Sequence, residues 1–163
     1  ESWEKLKNLA GISPKISPED LVFIGVRSAE DPEEHVIAKY NIKDILVEHI
    51  KKSTPKAIAK DALLHLADCD LIYISFDVDS MDSTISKGTG TPMPDGLTEK
   101  EASALLNELL KSEKVCCMEV CEVNPTLDDK GNLMAENAFM ILEKASVVIK
   151  KTHFKDEHRA ITG

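Results

Sequence analysis

Residues 71–98 read LIYISFDVDSMDSTISKGTGTPMPDGLT. The opening residues, 71–76, are apolar apart from Ser75 and rich in isoleucine and aromatic side chains. That composition predicts a strand buried on both faces. Asp77, Val78 and Asp79 follow, and then Asp82. In extended backbone alternate side chains share a face, so Asp77 and Asp79 are expected to project together with Val78 pointing away. Two carboxylates side by side at the carboxyl end of a buried strand repel each other unless a cation or a proton lies between them. In open α/β sheets that edge is also where ligands bind. A divalent metal accounts for the pair; a strand-end cluster that caps a helix is the alternative.

Working outward, residues 82–96 form a long stretch dense in Ser, Thr, Gly and Pro. Loops of that length inside a compact domain are usually functional. Thr98 and Glu101 have capping-box spacing and open a helix to about residue 111, with Ala102, Leu105, Leu106 and Leu109 inward. A strand is expected over 115–120 with Glu122 just past its end. A turn at residues 128–131 and a long helix over about 133–150 follow. Upstream, a short helix is expected over 2–10 and a buried strand over 21–26. A second helix has Asp31 as cap and Pro32 in its first turn and ends near Tyr40. Residues 42–47 fit a strand or a helix. Thr54 and Pro55 open a helix whose Ile58, Ala59, Ala62, Leu63 and Leu66 fall on one stripe. Buried strands alternating with helices predict an α/β fold with a mainly parallel sheet and flanking helices. The polar stretch 151–163 is expected to be a flexible tail.

The 163 residues fit one domain or part of one, and 42% apolar with 30% charged residues is ordinary for a water-exposed globular chain. A net charge of −9 argues against nucleic acid or an anionic membrane as the main partner. The chain has no 18-residue apolar run, signal peptide or lipidation motif, so a cytoplasmic location is expected. Cys69, Cys116, Cys117 and Cys121 form no CxxC pair. Cys117 and Cys121 would lie roughly 13 Å apart along a strand, too far for a disulfide. Buried strand thiols are the expectation. His35, His49, His65, His153 and His158 show no ligand spacing beside an acid and are expected to face solvent or cap helices.

Three blocks carry a family resemblance. SFDVD at 75–79, with Asp82 and then GTGTP at 88–92, resembles the signature of the ureohydrolases, the family of arginase, agmatinase and formiminoglutamase. Glu122-Val123-Asn124-Pro125 resembles that family's EVNP block, and Ile24-Gly25-Val26-Arg27 the strand before its substrate loop. The blocks occur in the family's order. The resemblance implies an arginase-like three-layer α/β/α fold, with residues 1–163 as the C-terminal portion of a single domain. It also implies manganese-dependent hydrolysis of a guanidino compound in the full-length parent, most simply arginine to ornithine and urea. Agmatine and formiminoglutamate remain open, because the quoted blocks are shared by those activities.

By the same resemblance, Asp77 and Asp79 are metal ligands for a pair of Mn²⁺ ions, which would make a strongly nucleophilic water available near neutral pH. Glu122 would be the catalytic-site glutamate that pairs with the substrate guanidinium, a planar fork that a carboxylate matches in bidentate fashion. Thr91 and, more distantly, Glu30 would contact substrate, with Asp31 competing for the role of Glu30. Asp82 would shape the loop, and Glu119 would stand behind the site. The family's homo-trimers or hexamers make a homo-oligomer the expected assembly. Ser83, Lys87 and Asp95 depart from the family pattern, where Pro, Pro and a Gly pair are usual.

The Asp-x-Asp pair also opens phosphatases of the haloacid-dehalogenase type. There a Thr or Val is wanted where Met81 stands, and GTGTP and EVNP have no role. A calcium loop fails because Met81 occupies its fifth position and no Gly follows. A non-catalytic fragment or partner subunit is the stronger alternative. The GGDH and DxHxD blocks that bring the family's other metal ligands are absent from these 163 residues. By itself the chain is therefore expected to be inactive, to bind Mn²⁺ weakly, and to self-associate through uncovered apolar surface.

Overall fold

The computed structural model describes residues 2–154. Helix α1 (Ser2–Lys7) and a 3₁₀ turn (Leu9–Gly11) precede strand β1 (Val22–Ile24). Then come α2 (Asp31–Tyr40), β2 (Lys43–Ile45), α3 (Val47–Lys51), α4 (Pro55–His65), β3 (Ile72–Asp77), α5 (Glu99–Leu109), β4 (Val115–Cys121) and α6 (Leu133–His153). Among the described residues the strands form two parallel pairs, β1 with β2 and β3 with β4. Parallel pairing with helices in the connections is the expected α/β architecture. The 42–47 ambiguity resolves both ways, as a strand to Ile45 and a helix from Val47.

Local chemistry sets the element boundaries. Thr98 Oγ1 accepts the Glu101 amide at 3.2 Å, and the Glu101 carboxylate accepts the Thr98 amide at 2.8 Å, so α5 starts at the capping box. Thr54 caps α4 by accepting the Ala57 amide. The start of α2 differs from expectation by one residue. Glu30, not Asp31, is its cap, because the Glu33 carboxylate reaches back to the Glu30 amide at 2.8 Å. At the other end, Asn41 takes the left-handed conformation that ends α2. Helix α6 continues to His153, so residues 151–153 are helical rather than part of a loose tail. The remainder of the expected tail, 155–163, lies outside the described residues.

One core joins the helices to one face of the β3–β4 pair. Phe76 packs with Ile58, Ala59 and Ala62 of α4, Leu105 and Leu106 of α5, and Met134, Ala138 and Ile141 of α6. Ile72, Leu110, Val115 and Ala145 form a smaller adjoining cluster. The expectation of a strand buried on both faces is not met. Ile72 and Phe76 are buried, but Tyr73 is 55% exposed and Ser75 is open to solvent. Helices α4, α5 and α6 cover one face, and among the described residues nothing covers the other.

The same uncovered face corrects the cysteine expectation. Cys117 pairs with Tyr73 and Cys121 with Asp77, so both thiols sit on the open side. Cys116 is the extra residue at a register shift. Cys116 and Cys117 are exposed, Cys69 and Cys121 half-buried, and all four thiols are free. His35, His49, His65 and His153 are exposed, as expected, and His158 lies outside the described residues. No helix among the described residues is long and apolar enough to cross a membrane.

A second constraint fixes the long loop against its own start. Met81 and Leu97 form an isolated bridge, with Asp82 N donating to Leu97 O at 2.9 Å and Leu97 N to Ser80 O at 3.0 Å. Gly96 lies so close beneath this bridge that an added Cβ would stand 2.5 Å from the Met81 carbonyl carbon and 2.6 Å from the Asp82 nitrogen. Backbone atoms cannot swing aside as a side-chain tip can. Gly96→Ala should therefore lower stability by roughly 1–3 kcal/mol, read as a lower midpoint in urea denaturation.

A candidate acidic site at the carboxyl edge of β3 and β4

The Asp-x-Asp pair does not stay extended. Strand β3 ends at Asp77, and Val78–Ser80 turns into a 3₁₀ helix that Asp77 caps by accepting the Asp79 amide at 2.8 Å. The side-chain alternation expected of a continuing strand therefore does not apply. What forces the turn is Val78, which is fully buried and anchors the chain in the core between the two acids. The helix-cap reading holds for Asp77.

Asp79 is held from three directions. Thr89 Oγ1 donates to Asp79 Oδ1 in a short hydrogen bond. The Thr91 amide donates to Asp79 Oδ2 at 3.0 Å. From below, the Arg27 guanidinium donates to the Asp79 carbonyl at 2.7 Å and to the Ser80 carbonyl at 2.8 Å. Arg27 also reaches the carbonyls of Met81, Met93 and Pro94, so one side chain pins both ends of the loop. Burial lowers the Arg27 pKa, and Asp82, Asp79 and Asp95 oppose that shift.

Glu122 completes the cluster. It lies immediately after β4, with φ 64°, in the left-handed region that a non-glycine residue occupies only when its surroundings hold it there. Its carbonyl faces Thr89 Oγ1 at 2.9 Å. Its carboxylate lies against Gly90, where a Cβ would stand 3.0 Å from Oε2. Loss of solvation raises the Asp77 pKa, and repulsion from Asp79 and Glu122 adds to it. Three carboxylates thus share one electrostatic neighbourhood at the strand edge.

The loop behind them is braced by two further acids. Asp82 accepts from the Thr84 amide at 2.8 Å and the Gly96 amide at 3.0 Å, the loop-shaping role expected of it. Its pKa is lowered, chiefly by the hydrogen bond from the Thr84 side chain. Asp128 accepts the Met134 amide at 2.8 Å and the Lys130 amide at 2.9 Å, joining the loop to the first turn of α6. The departures from the family pattern also have places. Asp95 adopts φ 62°, a conformation where glycine is at ease. Lys87 uses the amide that a proline would lack, donating to Asp129 Oδ1 at 3.2 Å.

Of the expected site residues, Asp77, Asp79, Thr91 and Glu122 are brought together. Thr91 takes part through its backbone amide. Glu30 stands at the N-terminus of α2, where its amide donates to the Glu33 carboxylate. Glu119 accepts from Ser75 Oγ at 2.9 Å on the open face of the sheet. Sequence reasoning passed over Thr89, Arg27 and Asp128. The alternation Thr89-Gly90-Thr91 was a signal for the first. Arg27 acts through carbonyls distant in sequence, which no local pattern discloses, whereas the amides that Asp128 accepts belong to the nearby Lys130 and Met134.

Hard carboxylate oxygens suit Mn²⁺. Yet among the described residues no group of three or more His, Cys, Asp or Glu side chains could hold a metal ion. Both oxygens of Asp79 are engaged, and Oδ1 of Asp77 holds the Asp79 amide. These residues by themselves do not make a metal centre.

Parallel strands that gather carboxylates and a glycine-threonine loop at their carboxyl edge define an α/β protein with an acidic cluster at that edge. A sequence profile of the Arginase family matches residues 9–147, and the chain belongs to that family. Arginase of Bacillus subtilis is 33% identical over 128 residues, covering 78% of this chain and 43% of that protein. The crystal structure of Helicobacter pylori arginase superposes with a TM-score of 0.83 at 32% identity, covering 91% of this chain and 51% of that one. The structure of Entamoeba histolytica arginase in complex with L-ornithine gives 0.74 at 26% identity, covering 80% and 44%. The chain spans less than half the length of the curated relatives it matches.

The Asp128 bonds carry a pH dependence. The hydrogen bond from the Met134 amide is the largest cause of an Asp128 pKa below its ordinary 3.8. Its stabilising contribution is therefore complete above 3.8 and is lost as the pH falls through the lowered folded value. Asp128→Asn should be less stable than the parent at pH 6, and the difference should shrink in urea titrations taken progressively further below pH 4.

Proposed function

We propose that the whole protein to which this chain contributes hydrolyses a guanidino compound, with arginine to ornithine and urea as the reaction. The gathering of Asp77, Asp79 and Glu122 at one strand edge, with Thr89 bonded to the last two, carries the reading. It puts an acid able to pair with a guanidinium cation beside acids suited to a divalent metal. Membership of the arginase family supports it, as does the ornithine in the Entamoeba relative, since ornithine is what remains of arginine after urea leaves.

In that protein Asp77 and Asp79 contribute to holding two Mn²⁺ ions, with the other ligands coming from outside the residues described here. The ions would supply Lewis acidity and a water of lowered pKa. Glu122 binds and orients the cation. Its left-handed backbone goes with a carboxylate that lies against Gly90, where a Cβ would stand 3.0 Å from Oε2. Thr91 contacts the substrate, Asp82 shapes the loop, and Glu30 is left as a more remote contact for the far end of the substrate. A homo-oligomer in the cytoplasm, acting on a small molecule and on neither nucleic acid nor membrane, completes the proposal.

Manganese-loaded whole protein should release urea from arginine faster than from agmatine, and faster than it releases formamide from formiminoglutamate. In the same assay Glu122→Gln should keep its metal but lose kcat/KM by roughly 2–5 kcal/mol of transition-state stabilisation, because the substrate cation loses its charged partner. Turnover of none of the three substrates would overturn the reading, and unaltered kinetics in the variant would remove Glu122 from the site.

A further inference from the structure

Thr89 is 2% exposed, yet its hydroxyl serves no element of secondary structure. It stands between an Asp79 carboxylate oxygen and the Glu122 carbonyl, which lie 43 positions apart on different strand ends. A hydroxyl has one hydrogen and both neighbours are acceptors, so the hydrogen is shared between them and a shift of either one changes what the other receives. The flanking residues repeat the link. The Thr91 amide takes the second oxygen of Asp79 at 3.0 Å. The Asn124 amide, two residues beyond Glu122, donates to the Gly88 carbonyl at 2.9 Å. Gly90 lies against the Glu122 carboxylate.

We propose that Thr89 is a positioning residue, which couples the Asp79 carboxylate to the left-handed Glu122 peptide and so sets the distance between the two sides of the site. The proposal rests on the roles given above to Asp79 and Glu122. In this role Thr89 acts through the two groups it holds, the Asp79 carboxylate and the Glu122 carbonyl. A threonine that merely filled the core would be replaced without loss by valine, which has the same shape. A coupling threonine would be replaced only by serine, which keeps the hydroxyl.

Amide hydrogen exchange on the 163-residue chain tests this without any need for activity. In Thr89→Val the Thr91 and Asn124 amides should exchange about tenfold faster or more, while the amides of the β3–β4 ladder stay within about twofold of the parent. Thr89→Ser should restore the parent rates. In the whole protein Thr89→Val should raise KM for arginine and weaken Mn²⁺ retention together, each by about tenfold, and Thr89→Ser should recover both. Unchanged exchange at Thr91 and Asn124 would overturn the proposal. Equal acceleration through the whole ladder would reduce Thr89 to a packing residue, and failure of serine to rescue would do the same. Absence of urea release by the parent protein would sink the functional reading, while the exchange rates would still decide the role of Thr89.

Discussion

The Asp79 carboxylate accepts hydrogen bonds from two members of one loop, the Thr89 hydroxyl and the Thr91 amide. Everything at the carboxyl edge depends on that grip. Val78 fixes the chain from inside the core, Arg27 fixes the Asp79 carbonyl from beneath, and the loop closes over the top. Two charges of one sign are brought near each other only because so many neutral and cationic donors surround them. An acid left without such partners at this edge would swing into water, and the geometry needed for binding a cation would be gone.

The same economy of contacts explains why the helices lie where they do. Helices α4, α5 and α6 bury the Phe76 side of β3, and that core holds the strand ends at a common level. The other side of the pair carries Tyr73, Ser75, Glu119 and Cys121, a mixed polar and apolar surface with its own hydrogen bonds between Ser75, Glu119 and Cys121. The Glu119 hydrogen bond leads the causes that push the Tyr73 pKa up to about 12, so the phenol stays protonated. The relatives extend over roughly twice this length, and proteins of that size have the material to cover such a face.

Much of this was legible in the residues. Capping chemistry at Thr54 and Thr98 placed two helices, and apolar runs placed β1, β3 and β4, while β2 stayed ambiguous with a helix. The family blocks brought Asp77, Asp79, Thr91 and Glu122 to one edge in advance. Three features were not legible, each for a physical reason. Burial of the second face of β3 cannot be read from its own sequence, because it depends on what else packs there. The full burial of Val78 that anchors the turn is a tertiary effect, although the Asp77 cap on the Asp79 amide is local. The reach of Arg27 to five carbonyls of residues 79–94 is a long-range event between segments about 50 positions apart. The cap of α2 falls on Glu30 and not on Asp31, because the Glu33 carboxylate reaches back to the Glu30 amide.

The central claim is that Asp77 and Asp79 face one shared cation site with Glu122 across from them. Anomalous diffraction at the manganese absorption edge, from crystals of the Mn²⁺-loaded whole protein, tests it most directly. The account predicts anomalous peaks in contact with the Asp77 and Asp79 carboxylates, with the Glu122 carboxylate facing them across the Thr89–Gly90 loop and not bound to metal. Peaks bound elsewhere, or Asp77 and Asp79 turned to opposite sides of the strand end, would contradict it.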